Sequence, residues 1–200
     1  MNKIILISAV ALLVSGGNSF AQKIWENTRG QVNFFSSTPV EDIEAVSKVS
    51  GASGLQAIIN TEAGTIAFKV PMKTFTFKNS LMQEHFHENY METDKKVTKG
   101  DKIDYPNRNG QFQGTMEPKI DFSKPGKYNI RAKGKFTIHG VTVDREFIGT
   151  MEVKSDQTAQ LKSSMEVPLA EHNIERPQML LMKIAEKIKV DVDFTFKPKK

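Results

Sequence analysis

The sequence predicts an all-β domain, either an antiparallel sandwich or a closed up-and-down barrel. Apolar and polar residues alternate with period two from about residue 30 to the end, turn-forming residues recur at short intervals, and no long helical pattern intervenes. Closure would also remove the exposed edges that a long regular sheet presents.

The N-terminus stands apart from this pattern. Lys3 precedes an apolar run from Ile4 to Val14 that is too short to span a bilayer. Ser15-Gly16-Gly17-Asn18 then leads to Ser19-Phe20-Ala21, small residues on either side of one free position, the shape that signal peptidase accepts. Residues 1–21 are therefore expected to be a cleaved secretory signal peptide and residues 22–200 a single domain, soluble once the signal is removed.

Within that domain, Ile66, Phe68, Val70 and Met72 oppose Thr65, Ala67 and Lys69, and Phe75 and Phe77 oppose Thr74, Thr76 and Lys78. The clearest run is Lys127 to His139: Tyr128, Ile130, Ala132, Gly134, Phe136 and Ile138 point one way, and the intervening lysines, arginine and polar residues the other. Leu161, Met165, Val167 and Leu169 share a face in the next segment. In the last, Ile188, Val190, Val192, Phe194 and Phe196 do so against Lys189, Asp191, Asp193 and Thr195. Turns are expected at Ala63-Gly64, Asn109-Gly110, Lys124-Pro125-Gly126, His139-Gly140 and Ser155-Asp156.

Two stretches break the period. Ser80-Leu81-Met82-Gln83 has the form of a capping box, opening a short helix through Met91 with Met82, Phe86 and Tyr90 on one face. Pro177 suits a first helical position, with Leu180, Ile184 and Ile188 spaced by four. Thr93–Asn109, charged and Gly/Asn/Pro-bearing, reads as a long mobile loop.

Composition excludes several function classes. With no cysteine there is no disulfide and no lipidated N-terminus, and the absence of an Asn-x-Ser/Thr acceptor in the mature part leans towards a bacterial periplasm. The net charge of +5 is carried by scattered lysines and a Lys197-Pro198-Lys199-Lys200 tail, without the aromatic-interleaved basic patch that nucleic acids need. Contact with a membrane is expected to be peripheral at most. One tryptophan and three tyrosines are too few for the aromatic girdles of a membrane-embedded barrel.

Specific residues suggest a family. Gly30-Gln31-Val32-Asn33-Phe34-Phe35-Ser36-Ser37-Thr38-Pro39 with Glu41-Asp42-Ile43-Glu44-Ala45 resembles the first strand and loop of YceI-like proteins. So do Met82-Gln83-Glu84-His85-Phe86 with Glu88-Asn89-Tyr90-Met91-Glu92, Phe136-Thr137-Ile138-His139-Gly140-Val141-Thr142, and Ile184-Ala185-Glu186-Lys187-Ile188-Lys189-Val190. The order is that of the family and covers nearly the whole mature chain. The resemblance implies an eight-stranded antiparallel lipocalin-like β-barrel with one or two short helices, enclosing an elongated apolar cavity that in some members holds a polyisoprenoid or related long lipid. One departure concerns the cavity entrance. The family's aromatic-Pro pair follows its Met-Glu-Ser-Asp-Lys segment directly, whereas here Asp94-Lys95 runs into Lys96-Val97-Thr98 and Tyr105-Pro106 comes only later, so a longer entrance loop is expected.

The candidate ligand-binding residues are the inward phenylalanines and methionines: Phe34, Phe68, Met72, Phe75, Phe77, Phe112, Phe136, Phe147 and Met165, with Phe86 of the first helix; Met116 and Met151 share their face. Phenylalanine offers apolar area without a polar atom, and methionine adapts to irregular shapes. An eight-stranded barrel is about wide enough either to be packed by its own side chains or to hold one ligand. Burying a prenyl tail of about twenty carbons at about 0.8 kcal/mol per CH₂ would supply more than about 10 kcal/mol gross.

Catalysis has no evident apparatus. There is no cysteine, no Gly-x-Ser-x-Gly elbow, no placeable Ser/His/Asp set and no Gly-rich phosphate loop. On a helix His85 and His87 would point about 200° apart and could not chelate a metal together. His139 belongs to a polar face beside a turn and His172 to a loop, both structural. The expectation is a periplasmic, non-enzymatic carrier of a polyisoprenoid, isoprenoid quinone or fatty-acyl lipid, without cofactor or metal and open to homodimer formation. The alternative is a stress-related interaction module with a filled barrel, binding a partner through Pro39–Ser53 and Thr93–Asn109.

Overall fold

The computed structural model describes residues 23–37, 42–48, 54–176 and 184–199. The segment read as a signal peptide lies outside them, as does most of the second expected helix. The described strands are β1 (Ile24–Ser37), β2 (Asp42–Ser47), β3 (Gln56–Asn60), β4 (Thr65–Pro71), β5 (Thr76–Phe77), β6 (Val97–Lys99), β7 (Lys102–Asp104), β8 (Asn109–Glu117), β9 (Gly126–Ile138), β10 (Val141–Val153), β11 (Ala159–Pro168) and β12 (Lys187–Pro198). One α-helix, α1 (Ser80–His85), is present among them.

Eight strands close into the expected antiparallel barrel. The ladder runs β12-β11-β10-β9-β8-β4-β3-β1, and β12 returns to pair with β1 from Trp25↔Pro198 to Phe35↔Lys189. Alternation decides the faces. On β9, Ile130, Ala132, Phe136 and Ile138 are buried while Lys127, Arg131, Lys133 and Lys135 are not; on β12, Val192, Phe194 and Phe196 are buried. The outward charges pair across strands, Lys135 with Asp144 at 2.8 Å and Arg131 with Glu146 at 3.3 Å. Such exposed pairs add little stability.

β1 serves two neighbours. Its first residues pair with β3 (Ile24↔Asn60 to Glu26↔Ile58) and its last with β2 (Val32↔Ser47 to Ser37↔Asp42), with a register irregularity between Asn27 and Arg29 on the β12 side. On the β3 side the Asn27 amide continues the contact past Glu26↔Ile58, accepting from the Ala57 N–H at 2.7 Å and donating to the Leu55 carbonyl at 3.2 Å. β2 carries the sheet on to β5, so α1, which follows β5, sits at that end of the barrel.

The β9–β10 hairpin turns on His139-Gly140, both at positive φ (53° and 73°), the left-handed pair a two-residue type I′ turn requires. Elsewhere glycine permits close approach. Gly114 and Gly134 face each other across β8 and β9, and a Cβ on Gly134 would lie 2.1 Å from the Gln113 carbonyl oxygen.

Several local expectations need correction. The helix cap is Asn79, whose side chain accepts from the Met82 N–H at 3.1 Å, so Ser80 is the first helical residue and not the cap. Gln83 instead accepts from the Phe77 N–H at 3.1 Å, fastening α1 to β5. After His85 the helix widens into one π-turn, Phe86–Tyr90, closed by Met91 N–H to the Phe86 carbonyl at 2.9 Å. Phe75 belongs to no strand; it caps the 3₁₀ turn Met72–Thr74. Thr93–Asn109 is not all loop, because β6 and β7 form a hairpin within it, and Lys73 pairs with Asp94 at 2.6 Å beside it. Asn109-Gly110 opens β8 instead of turning the chain. At the second expected helix, Ile184 is in no helix and Ile188 is already in β12.

Candidate binding cavity

The barrel is filled at one end and hollow at the other. At the filled end the Phe112 and Phe147 rings meet at 4.4 Å, Phe136 lies 5.4 Å from Phe147, and Trp25 packs on Phe122 at 4.9 Å. Met151, Phe194 and Phe196 there are fully buried. A gap of about 20 Å³, room for about one water, remains among Ile66, Phe112, Ile130, Ala132, Phe147 and Leu161.

Toward α1 the interior opens into a space of about 890 Å³, counting its part in solvent. The walls are β1 (Val32, Phe34), β4 (Phe68, Val70), β9 (Phe136, Ile138), β11 (Met165, Val167) and β12 (Ile188, Val190, Val192). Gly110 of β8 contributes a stretch of wall without a side chain. Met72 and Phe75 after β4, and Phe86, Tyr90 and Met91 after β5, cover the top together with Leu169, Ile174 and Ile184. Phe86 organises this cover, its ring 6.0 Å from Phe34, 5.8 Å from Phe75 and 5.0 Å from Phe77. Among the described residues only Tyr90 and Glu175 bring polar side chains to the lining, and burial pushes the Tyr90 hydroxyl up, favouring the neutral phenol. Such a wall offers an apolar chain large contact area.

Of the candidate residues, Phe34, Phe68, Met72, Phe75, Phe86, Phe136 and Met165 surround this space. Phe112 and Phe147 do not; their inward faces are right, but they stand lower and fill the floor. Phe77 lies behind Phe86, outside the lining. Sequence reasoning did not name Gly110, Met91, Ile174, Glu175 or Ile184 as cavity residues. Gly110 read as a turn residue because Asn-Gly is a turn signal; the missing side chain here makes room.

The histidines are structural in geometry. His139 Nε2 lies 3.0 Å from a Glu92 carboxylate oxygen and Nδ1 3.1 Å from the His172 carbonyl, tying the segment after α1 to the β9–β10 hairpin and to the turn after β11. The Glu92 carboxyl is held low, first by its hydrogen bond with Lys95. His172 is not in an exposed loop. It closes the 3₁₀ turn Leu169–His172, fully buried, 5.5 Å edge-on to Phe136, with Nδ1 3.2 Å from the Val141 carbonyl, and burial holds its ring below the usual histidine range. His85 ends α1 and His87 lies in the π-turn, the latter also held low by burial. Among the described residues no three His, Cys, Asp or Glu side chains are placed to hold a metal ion.

The YceI-like domain family matches residues 24–196. No curated protein is significantly similar in sequence. Among solved structures, a polyisoprenoid binding domain from Saccharophagus degradans implicated in plant cell wall breakdown superposes with a TM-score of 0.68 at 12% identity, covering 87% of this chain and 98% of that one. BcnA of Burkholderia cenocepacia gives 0.61 at 12% identity, over 83% and 95% of the two chains. The YCEI protein of Campylobacter jejuni gives 0.52 at 10% identity, over 82% and 88%. At these identities the likeness is one of fold.

Proposed function

This chain belongs to the YceI-like domain family, and from that premise we propose that it is a non-enzymatic carrier of a long apolar chain, a polyisoprenoid, an isoprenoid quinone or a fatty-acyl lipid, which lies in the space between the barrel walls and α1. One observation carries the reading: the space of about 890 Å³, counting its part in solvent, is lined among the described residues by side chains that are apolar except for Tyr90 and Glu175. The candidate residues that surround it, Phe34, Phe68, Met72, Phe75, Phe86, Phe136 and Met165, are the proposed contacts. A polyisoprenoid is favoured because the Saccharophagus degradans neighbour of the same fold is a polyisoprenoid binding domain. Export by the segment 1–21 would place such a carrier in the periplasm, where a membrane-derived hydrocarbon needs a shield from water.

The test is to purify the protein from its own host without detergent and analyse it by native mass spectrometry and organic extraction. A co-purifying lipid of one chain class, released on unfolding, is the expected result. Protein that is empty, and that takes up no prenyl alcohol or fatty acid on titration, would overturn the proposal.

A further inference from the structure

His139 lies where the two halves of the cavity cover meet. One half follows β5 and reaches the space through Phe86, Tyr90 and Met91; the other is the turn after β11, with Leu169 and Ile174. Among the described residues no hydrogen bond or ion pair runs directly from one half to the other. Both are tied to the β9–β10 hairpin, and His139 holds both. Its Nε2 lies 3.0 Å from a carboxylate oxygen of Glu92, the residue after Met91, and its Nδ1 lies 3.1 Å from the carbonyl of His172, between Leu169 and Ile174 in the chain. Ile138, the residue before it, lines the same space. The His139 side chain is 12% exposed, so a bond lost there is poorly replaced by water.

A carboxylate and a carbonyl are both acceptors. A neutral imidazole has one N–H and can satisfy one of them; the imidazolium has two and satisfies both. The Glu92 carboxyl is held low, first by its hydrogen bond with Lys95, so it stays ionised and offers no proton of its own. Resting on the reading of the barrel as a carrier of an apolar chain, we propose that His139 is a proton-operated latch on the cavity: with two ring protons it binds both halves of the cover to the hairpin, and with one it lets a half go, giving a chain its way in or out. The other charged groups nearby are engaged elsewhere. Lys95 pairs with Glu92, Arg145 with Glu171 and Asp144 with Lys135, while Asp104 and Arg108 flank the segment whose Pro106 and Asn107 pack on Gly140. His172 acts with the opposite sign. Its Nδ1 serves the Val141 carbonyl and its buried Nε2 has no partner, so a second proton there is an unpaired buried charge that loosens the turn. Burial holds His172 and His87 below the usual histidine range, so their effect belongs to the acid end.

The experiment loads the mature chain with geranylgeraniol and follows its release to an excess of phosphatidylcholine vesicles by native mass spectrometry, between about pH 6 and about pH 8, on either side of the ordinary histidine value. Amide hydrogen exchange of the empty protein, compared at one pH, reports the opening of residues 86–94 and 169–174. Release from the wild type should quicken as the pH rises. His139→Asn keeps the turn, because Asn-Gly suits two positive φ angles, but its side chain is too short to bridge the two acceptors. It should release about tenfold faster than the wild type at about pH 6, the weight of one charge-assisted hydrogen bond, with no pH slope, faster exchange in both halves of the cover and little change in Tm. Glu92→Ala leaves the hairpin untouched and one acceptor for one N–H, so its slope should vanish too; if His139→Asn does not fold, Glu92→Ala is read alone. A wild-type rate that is flat or falls as the pH rises, or a slope that survives in a folded variant, overturns the latch and leaves the carrier reading intact. A wild type that takes up no geranylgeraniol overturns the carrier reading, and amide exchange then decides the latch by itself: faster exchange in the variants supports it and unchanged exchange overturns it.

Discussion

Replacing Gly110 with leucine should close the proposed site without unfolding the barrel. A Cβ at this position would lie 2.6 Å from Met72 Cε, the far end of a flexible side chain, and the next nearest atoms, on Ile138 and Val70, are 3.9 Å away. Met72 can therefore yield, and the leucine side chain projects into the space that Gly110 leaves free. Its burial contributes up to about 1.5–3 kcal/mol, set against about 1–3 kcal/mol for repacking Met72, so stability should change little. Its branch occupies the room of about four ligand carbons, which at about 0.8 kcal/mol each is about 3 kcal/mol, or roughly a two-hundredfold loss of affinity. Native mass spectrometry with geranylgeraniol, beside melts of both proteins, measures the two quantities separately. A Gly110→Leu protein that melts like the wild type and binds as tightly would show that no chain lies against this wall.

Three further outcomes follow from the packing. Gly134→Ala should destabilise by about 1–3 kcal/mol, lowering Tm by several degrees, because its Cβ would meet the Gln113 carbonyl oxygen at 2.1 Å and backbone cannot rotate aside; an unchanged Tm would refute that close approach. Phe112→Ala, at the floor and 2% exposed, should cost about 3–5 kcal/mol by denaturant titration, and Phe86→Ala, which already borders empty space, less than half as much; equal costs would contradict a barrel filled at one end only. Burial holds His172 and His87 below the usual histidine value of about 6.5, so below that pH the unfolded chain binds protons the folded one does not. Stability is then fully present above about pH 6.5 and is lost as pH falls toward the folded values. Tm should drop between about pH 7 and about pH 5, and His172→Gln, from a lower starting point, should drop less. Parallel curves for the two proteins would remove His172 from the account.

Strand alternation alone determined the all-β class and the inward faces of β9, β11 and β12, because the pleat sends successive side chains to opposite sides whatever the partner strand. The His139-Gly140 turn was equally local, since two positive φ angles suit few residue pairs. The strand count and the closed barrel came from four motifs in order, not from periodicity, which fits a sandwich as well. What tertiary structure decided was height along the barrel. Phe68, Phe112 and Phe147 share the same inward parity, yet Phe112 and Phe147 pack the floor and Phe68 borders the open chamber, because the stagger between strands sets which inward residues share a layer. The same reason hid Gly110, whose role depends on the Met72 side chain of another strand's end, and His172, buried only because the turn after β11 folds back against Phe136. A residue's face is written in its neighbours along the chain; the room in front of it belongs to residues far away in sequence.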